Sequence, residues 1–251
     1  TAKLNALKLT GEIQSFASNI PQGDFDGEHI SFNTHFTRVG IEPTKTTPGI
    51  ANLSGVLNMQ GKQGSLDLQS DKTSVRYDSV FAKPLTFAAM TGKVAFQKQT
   101  NDWLLLFNKV RLANDDVVLN LNGSIDILEK TKPVMNLSAS FVVPQLKNIK
   151  HYFPMKLFAP DLVKWLSAAF LDGQISAGTA HIRGNLQDFP FTQDNGEFSI
   201  EAKLNNVDFH FAPDWPLMNK VNGKLAFSGD RIIIDVANTD IMGIPIDNVH
   251  G

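Results

Sequence analysis

The sequence predicts a mostly β protein of repeated antiparallel meanders with one short helical insert. Three observations predict it. Apolar and polar side chains alternate strictly, most clearly as Val117, Leu119, Leu121, Ile125 and Ile127 against Asn120, Asn122, Ser124 and Asp126, which is how strands with one dry and one wet face read. Gly92-Lys93-Val94-Ala95-Phe96 returns as Gly223-Lys224-Leu225-Ala226-Phe227, each copy followed by two more alternating runs. Such a reused β-unit has a long inner face and suits presenting a surface more than enclosing a pocket. Only between Pro144 and Gly173 does the period change to that of a helix.

The elements follow in order. Ile30-Phe32-Thr34-Phe36 and Leu66-Leu68 alternate as strands, separated by turn chemistry at Pro21-Gln22-Gly23-Asp24, Thr47-Pro48-Gly49 and Gln60-Gly61-Lys62-Gln63-Gly64. After Gly92 to Phe96 come strands over Trp103 to Leu112 and Val117 to Gly123, joined by the turn Asn114-Asp115-Asp116. Leu137-Ala139-Phe141-Val143 closes this N-terminal β-section, residues 1–143. In the helical insert, 144–176, Leu162, Trp165, Leu166, Ala169 and Phe170 follow i, i+3, i+4, i+7, i+8. Pro160 and Asp161 suit its first turn and Gly173 its C-terminal cap, with a short helix over Leu146 to Tyr152 ahead of it. The C-terminal β-section, 177–251, opens with Phe198-Ile200-Ala202-Leu204, whose parity flips to Val207-Phe209-Phe211 and so requires a β-bulge near Asn205-Asn206. Gly223 to Phe227, Ile232 to Val236 and Ile244 to Gly251 complete it, with a turn at Ser228-Gly229-Asp230.

Composition narrows the function classes. Among 251 residues, 42% are hydrophobic, enough for a substantial core. The 23 basic and 25 acidic side chains nearly cancel and form no basic cluster, which excludes a nucleic-acid footprint. With no cysteine there is no disulfide, thiolate metal site or Cys nucleophile. No apolar run reaches the ~20 residues that span a bilayer. A start without Met and an end at Gly251, in mid-unit, give the expectation of a segment cut from a longer chain.

Motifs of chemistry are missing. Gly55 and Gly61-Lys62 miss the phosphate-binding spacing by one residue, with Gln63 where Ser or Thr would hold a metal. His29 and His35 would lie about 20 Å apart along a strand at ~3.3 Å per residue, too far for one ion. His151, His181, His210 and His250 are isolated. Asp24/Asp26 and Asp115-Asp116 sit in turns, where Asp serves the backbone. Trp103, Trp165 and Trp215 read as packing anchors. The expectation is a non-enzyme with no catalytic residue, metal or cofactor.

An ordered set of motifs does carry a resemblance: Tyr152-Phe153-Pro154, Leu162-x-x-Trp165-Leu166-x-x-Ala169-Phe170-x-x-Gly173, Gly178 to Arg183-Gly184-x-Leu186-x-Asp188-Phe189-Pro190-Phe191, and Phe211-x-Pro213-x-Trp215-Pro216. The set resembles the YhdP branch of the AsmA-like proteins of Gram-negative envelopes, over residues 150–251. The resemblance implies an elongated, curled antiparallel sheet, a groove or taco in section. It also implies a periplasmic place within an inner-membrane-anchored protein that moves phospholipid between the inner and outer membranes. It supplies no catalytic residue.

On that reading the groove is lined by Val94, Phe96, Leu106, Val110, Leu119, Leu121, Leu225, Phe227, Ile232 and Ile234, and the insert is anchored by Trp165, Leu166 and Phe170. The expected partner is phospholipid through its acyl chains, with other envelope proteins as further partners. Alternation by itself is equally compatible with a closed sandwich core, and a structural or adaptor β-domain binding envelope proteins along sheet edges is the alternative function.

Overall fold

The computed structural model describes residues 8–22, 28–44, 48–100, 102–128, 133–186, 188–189, 191, 193–212, 214–228 and 231–250. Gly23, Asp24, Asp26, Thr47, Pro190, Pro213, Gly229, Asp230 and Gly251 lie outside the described residues, and with them the features read there.

Thirteen strands form one sheet in sequence order: β1 Thr10–Asn19, β2 Ser31–Ile41, β3 Gly49–Gln60, β4 Gln63–Arg76, β5 Leu85–Lys98, β6 Trp103–Ala113, β7 Val118–Ile127, β8 Val134–Val143, β9 Phe170–Asn185, β10 Gly196–Phe209, β11 Met218–Ser228, β12 Arg231–Ile241 and β13 Ile244–His250. Every neighbouring pair is antiparallel. The sheet curls without closing, since β1 and β13 do not pair. At about 4.8 Å per strand it is about 58 Å across. Among the described residues no second sheet stacks on it, so the fold is not a sandwich. Its accessible surface of 15455 Å² exceeds the about 11,000 Å² expected of a compact protein of this mass. Much of one face is therefore uncovered.

Recurrent bulges bend the strands, and the Gly-led repeat is part of how they are held. The bulge read at Asn205-Asn206 is present, with Asn206 at φ 53° and the register shifting between Leu204 and Val207. A bulge frees a backbone N–H that needs an acceptor. Asn206 N–H donates to Asn222 Oδ1 at 3.0 Å, Lys109 N–H to Asn122 Oδ1 at 2.8 Å, and Arg38 N–H to Ser54 Oγ at 3.0 Å. In each case the acceptor immediately precedes a glycine of the next strand, Gly223, Gly123 or Gly55. On the strand before, Gly173, Gly92 and Gly11 face the same bulges at left-handed φ of +107°, +124° and +116°. The reused unit is thus a bulged strand held between two glycine-bearing neighbours.

The insert between β8 and β9 comprises a 3₁₀ helix, Leu146–His151, and α1, Pro160–Ala169. Pro160 opens α1, where its missing N–H costs nothing. Gly173 is not the C-terminal cap that the sequence suggested: α1 passes straight into β9 at Phe170, and Gly173 lies inside that strand. His210 N–H, just past the end of β10, donates to Ala169 O at 2.9 Å at this end of the helix. The insert contributes Leu146 and Ala169 to a buried cluster with Val143, Val207, Phe209 and Val221.

The 3₁₀ helix is tied to the β6–β7 turn. Asn114 Oδ1 accepts from the N–H groups of Asp116 and Val117 at 3.0 and 2.9 Å, the Asp-rich turn acting for the backbone as its composition implied. Asn114 Nδ2 donates to Tyr152 Oη at 2.6 Å, and Tyr152 Oη donates to Asp116 Oδ2 at 3.2 Å. Burial holds the Tyr152 phenol above its ordinary value of 10.0, since the phenolate would lose water and face Asp116. A group whose folded pKa is raised stabilises fully below its unfolded value and loses that contribution as pH climbs through the folded one. Tyr152→Phe should therefore cost about 1 kcal/mol at neutral pH and flatten the loss of stability above about pH 10, measured by urea unfolding at pH 8 to 11.

Candidate functional site on the apolar face of the sheet

Register decides which side chains share a face, because directly paired residues point the same way. One row runs Leu112, Leu119, Phe141, Gly178, Ala202, Leu225, Ile234 across β6 to β12. The next runs Val110, Leu121, Ala139, Ala180, Ile200, Phe227, Ile232. A third carries Val94 between Leu66 and Phe107 and continues through Leu57 and Thr34 to Phe16. A fourth joins Phe96 to Leu105 and Ile125. Nine of the ten expected residues, Val94, Phe96, Val110, Leu119, Leu121, Leu225, Phe227, Ile232 and Ile234, thus lie on one apolar face.

Leu106 projects the other way. It pairs with Ala95 and Ser124 and is 45% exposed. The bulge at Lys109, φ 49°, shifts parity in β6, so Leu105 and Phe107 share a face with Val110 and Leu112. Four consecutive apolar residues, Leu104 to Phe107, hide that parity in the sequence. The face also carries Phe16, Phe32, Leu57, Met59, Leu137 and Phe198, which sequence reasoning did not select although alternation marked several of them.

Rings cover gaps left by glycines. A Cβ on Gly178 would meet the Phe141 ring at 2.3 Å, and one on Gly64 the Phe96 ring at 2.5 Å. Phe96 also lies 6.1 Å from Trp103, over which Lys98 Nζ sits at 5.3 Å. The opposite face is polar, with Asp67 3.5 Å from Lys93, and Asn33 bonded to Asn58.

Cover is uneven along the apolar face. Over β3 to β8 the side chains Leu57, Met59, Leu66, Val94, Phe96 and Leu121 are only half-buried. Over β10 to β12, Ala202, Leu204, Leu225, Ile234 and Val236 are buried, whereas Ile200 and Phe227 are half-buried and Ile232 is 37% exposed. The insert packs over one end of the strands, in a cluster with Val117, Val143, Leu204 and Phe209. Trp165 lies edge-on to Phe170, Phe209 and Phe227 at 6.1, 6.1 and 6.3 Å, and its Nε1–H donates to Phe211 O at 2.7 Å. Leu166 is 6% exposed and Phe170 packs against Phe209 at 5.4 Å.

Polar chemistry does not converge. Among the described residues no group of His, Asp and Glu could hold a metal ion, and no helix is long and apolar enough to cross a membrane. His181 bonds Ser138 at 3.0 Å and His250 bonds Asp235 at 2.7 Å, both on the polar face. What the arrangement can do is hold apolar material along a row of strands while keeping the reverse side wet.

A family profile described as YhdP protein matches residues 1–251. The chain is 24% identical over 242 residues to the intermembrane phospholipid transporter YhdP of Escherichia coli strain K12, a match over 96% of this chain and 19% of that protein. The chain therefore spans about a fifth of that relative's length. No solved structure matches.

Proposed function

The chain belongs to the YhdP family, and from that premise we propose that it is one section of a lipid-transfer protein whose apolar β-face shields phospholipid acyl chains in transit between the inner and outer membranes. The relative's printed activity supplies the class of cargo. The observation that carries the reading for this chain is the half-buried row Leu57, Leu66, Val94, Phe107, Gly123 and Leu137, paired from strand to strand over β3 to β8. Each acyl CH₂ leaving water for such a face gains about 0.8 kcal/mol. No specific polar ligand is needed, and continuity across strands turns a binding site into a track. The chain carries lipid without catalysing a reaction, and it works in the periplasm as part of an inner-membrane-anchored protein.

The matched pair Leu121 and Leu106 tests it, since one lies on the apolar face and the other on the reverse. With a photoreactive side chain at each in turn, and vesicles of tritiated phosphatidylcholine as probe, illumination should yield a lipid adduct at position 121 and little at 106. Equal labelling at both, or none at 121, would sink the reading.

A further inference from the structure

The apolar face is not one uniform track. Around Val94, Phe96 and Leu121 its side chains are half-buried, whereas at Phe227 the chain's own Trp165 packs on the face. Resting on the lipid reading above, we propose that Trp165 is a positioning residue that interrupts the acyl-binding reach, its indole standing where a chain would otherwise continue from Ile200 onto Phe227.

Three observations meet at this residue. The indole contacts Phe227 at 6.3 Å, and Phe227 belongs to the same cross-strand row as Leu121. The row is therefore continuous in the sheet, and the indole packs on it at Phe227. The indole is fixed at two points, wedged among Phe170, Phe209 and Phe227 and bonded through Nε1–H to Phe211 O at 2.7 Å. Its ring is apolar with one polar edge, and that edge is satisfied by the backbone beyond β10, so the ring rests against the face at no cost in unpaired donors. Leu166 and Ala169, the neighbouring contacts of α1, lie in the packed core, so the helix stays docked when the indole alone is removed. The ligand excluded is an aliphatic chain, since the rings that the indole meets are the phenyl groups of Phe170, Phe209 and Phe227.

The test places a benzoyl-phenylalanine at Phe96 or Phe227, in the parent protein and with Trp165→Ala, and uses vesicles of tritiated phosphatidylcholine. Lipid adduct should form at position 96 in both backgrounds. At position 227 it should be weak in the parent and rise about tenfold with Trp165→Ala. Equal adduct at 227 in the parent overturns the proposal, as does an unchanged low yield at 227 in a folded Trp165→Ala protein. Should that variant misfold, Trp165→Leu keeps apolar cover while shrinking the ring, and the same rise at 227 is required of it. Absence of adduct at 96 as well as 227 would instead remove the lipid reading on which this rests.

Discussion

Replacing Leu166 by Asp is expected to lower stability by about 4 kcal/mol or more. Leu166 is 6% exposed on the buried side of α1, where a carboxylate would lose its water. The loss combines the transfer and cavity terms of a buried leucine with the cost of an unpaired buried charge. Against a total of roughly 5–15 kcal/mol for a folded domain, that is a large fraction. Loss of the insert would also uncover Leu225 and Ile234, so the damage should spread into β10 to β12. Urea unfolding followed by circular dichroism measures it, with Leu157→Asp as control. Leu157 is 45% exposed in the same insert and should change stability by less than about 0.5 kcal/mol. An unchanged midpoint for Leu166→Asp would mean that α1 stands free of the sheet.

Gly92→Val is expected to cost about 3 kcal/mol. Gly92 opens the repeated segment and holds φ +124°, a conformation a β-branched residue does not adopt. Its Cβ would lie 2.5 Å from Lys109 O and 2.6 Å from Val110 Cα, inside the bulge of β6. Backbone would have to move, and with it the parity that turns Val110 and Leu112 to the apolar face. Gly243→Ala makes the control: it also has a positive φ, +82°, but nothing lies within 4 Å of its added Cβ. Only the conformational cost of about 1 kcal/mol remains there. Comparable losses for the two variants in denaturant titration would refute the steric part of the argument.

Much of this fold was legible. Alternation marked both faces of β7, whose Leu119, Leu121 and Ile125 are apolar-side and whose Asn120, Asn122 and Asp126 lie on the reverse. The parity flip in β10 located its bulge, because an extra residue is the local way to change which face a strand presents. Helical spacing located α1 and its Trp165 and Leu166. The bulge in β6 escaped because an unbroken apolar run carries no parity signal, and Leu106 was therefore assigned to the wrong side. Gly173 misled for a related reason: a glycine with positive φ serves a helix end and a bulged strand equally well, and sequence does not distinguish the two.

The sequence alone determined local matters: the two-faced strands, the single helical segment, the irregular Gly-led repeat, and the lack of any convergent polar chemistry. Period two fixes two faces for each strand but is silent on whether a second layer covers either of them. Only the tertiary structure decided that thirteen strands stay in one unclosed sheet, that Leu57, Leu66, Val94 and Leu121 are half-buried on its apolar face, and that Trp165 packs on that face at Phe227. Cover is set by contacts between residues far apart in the chain, Trp165 with Phe227 above all, and no local pattern encodes those.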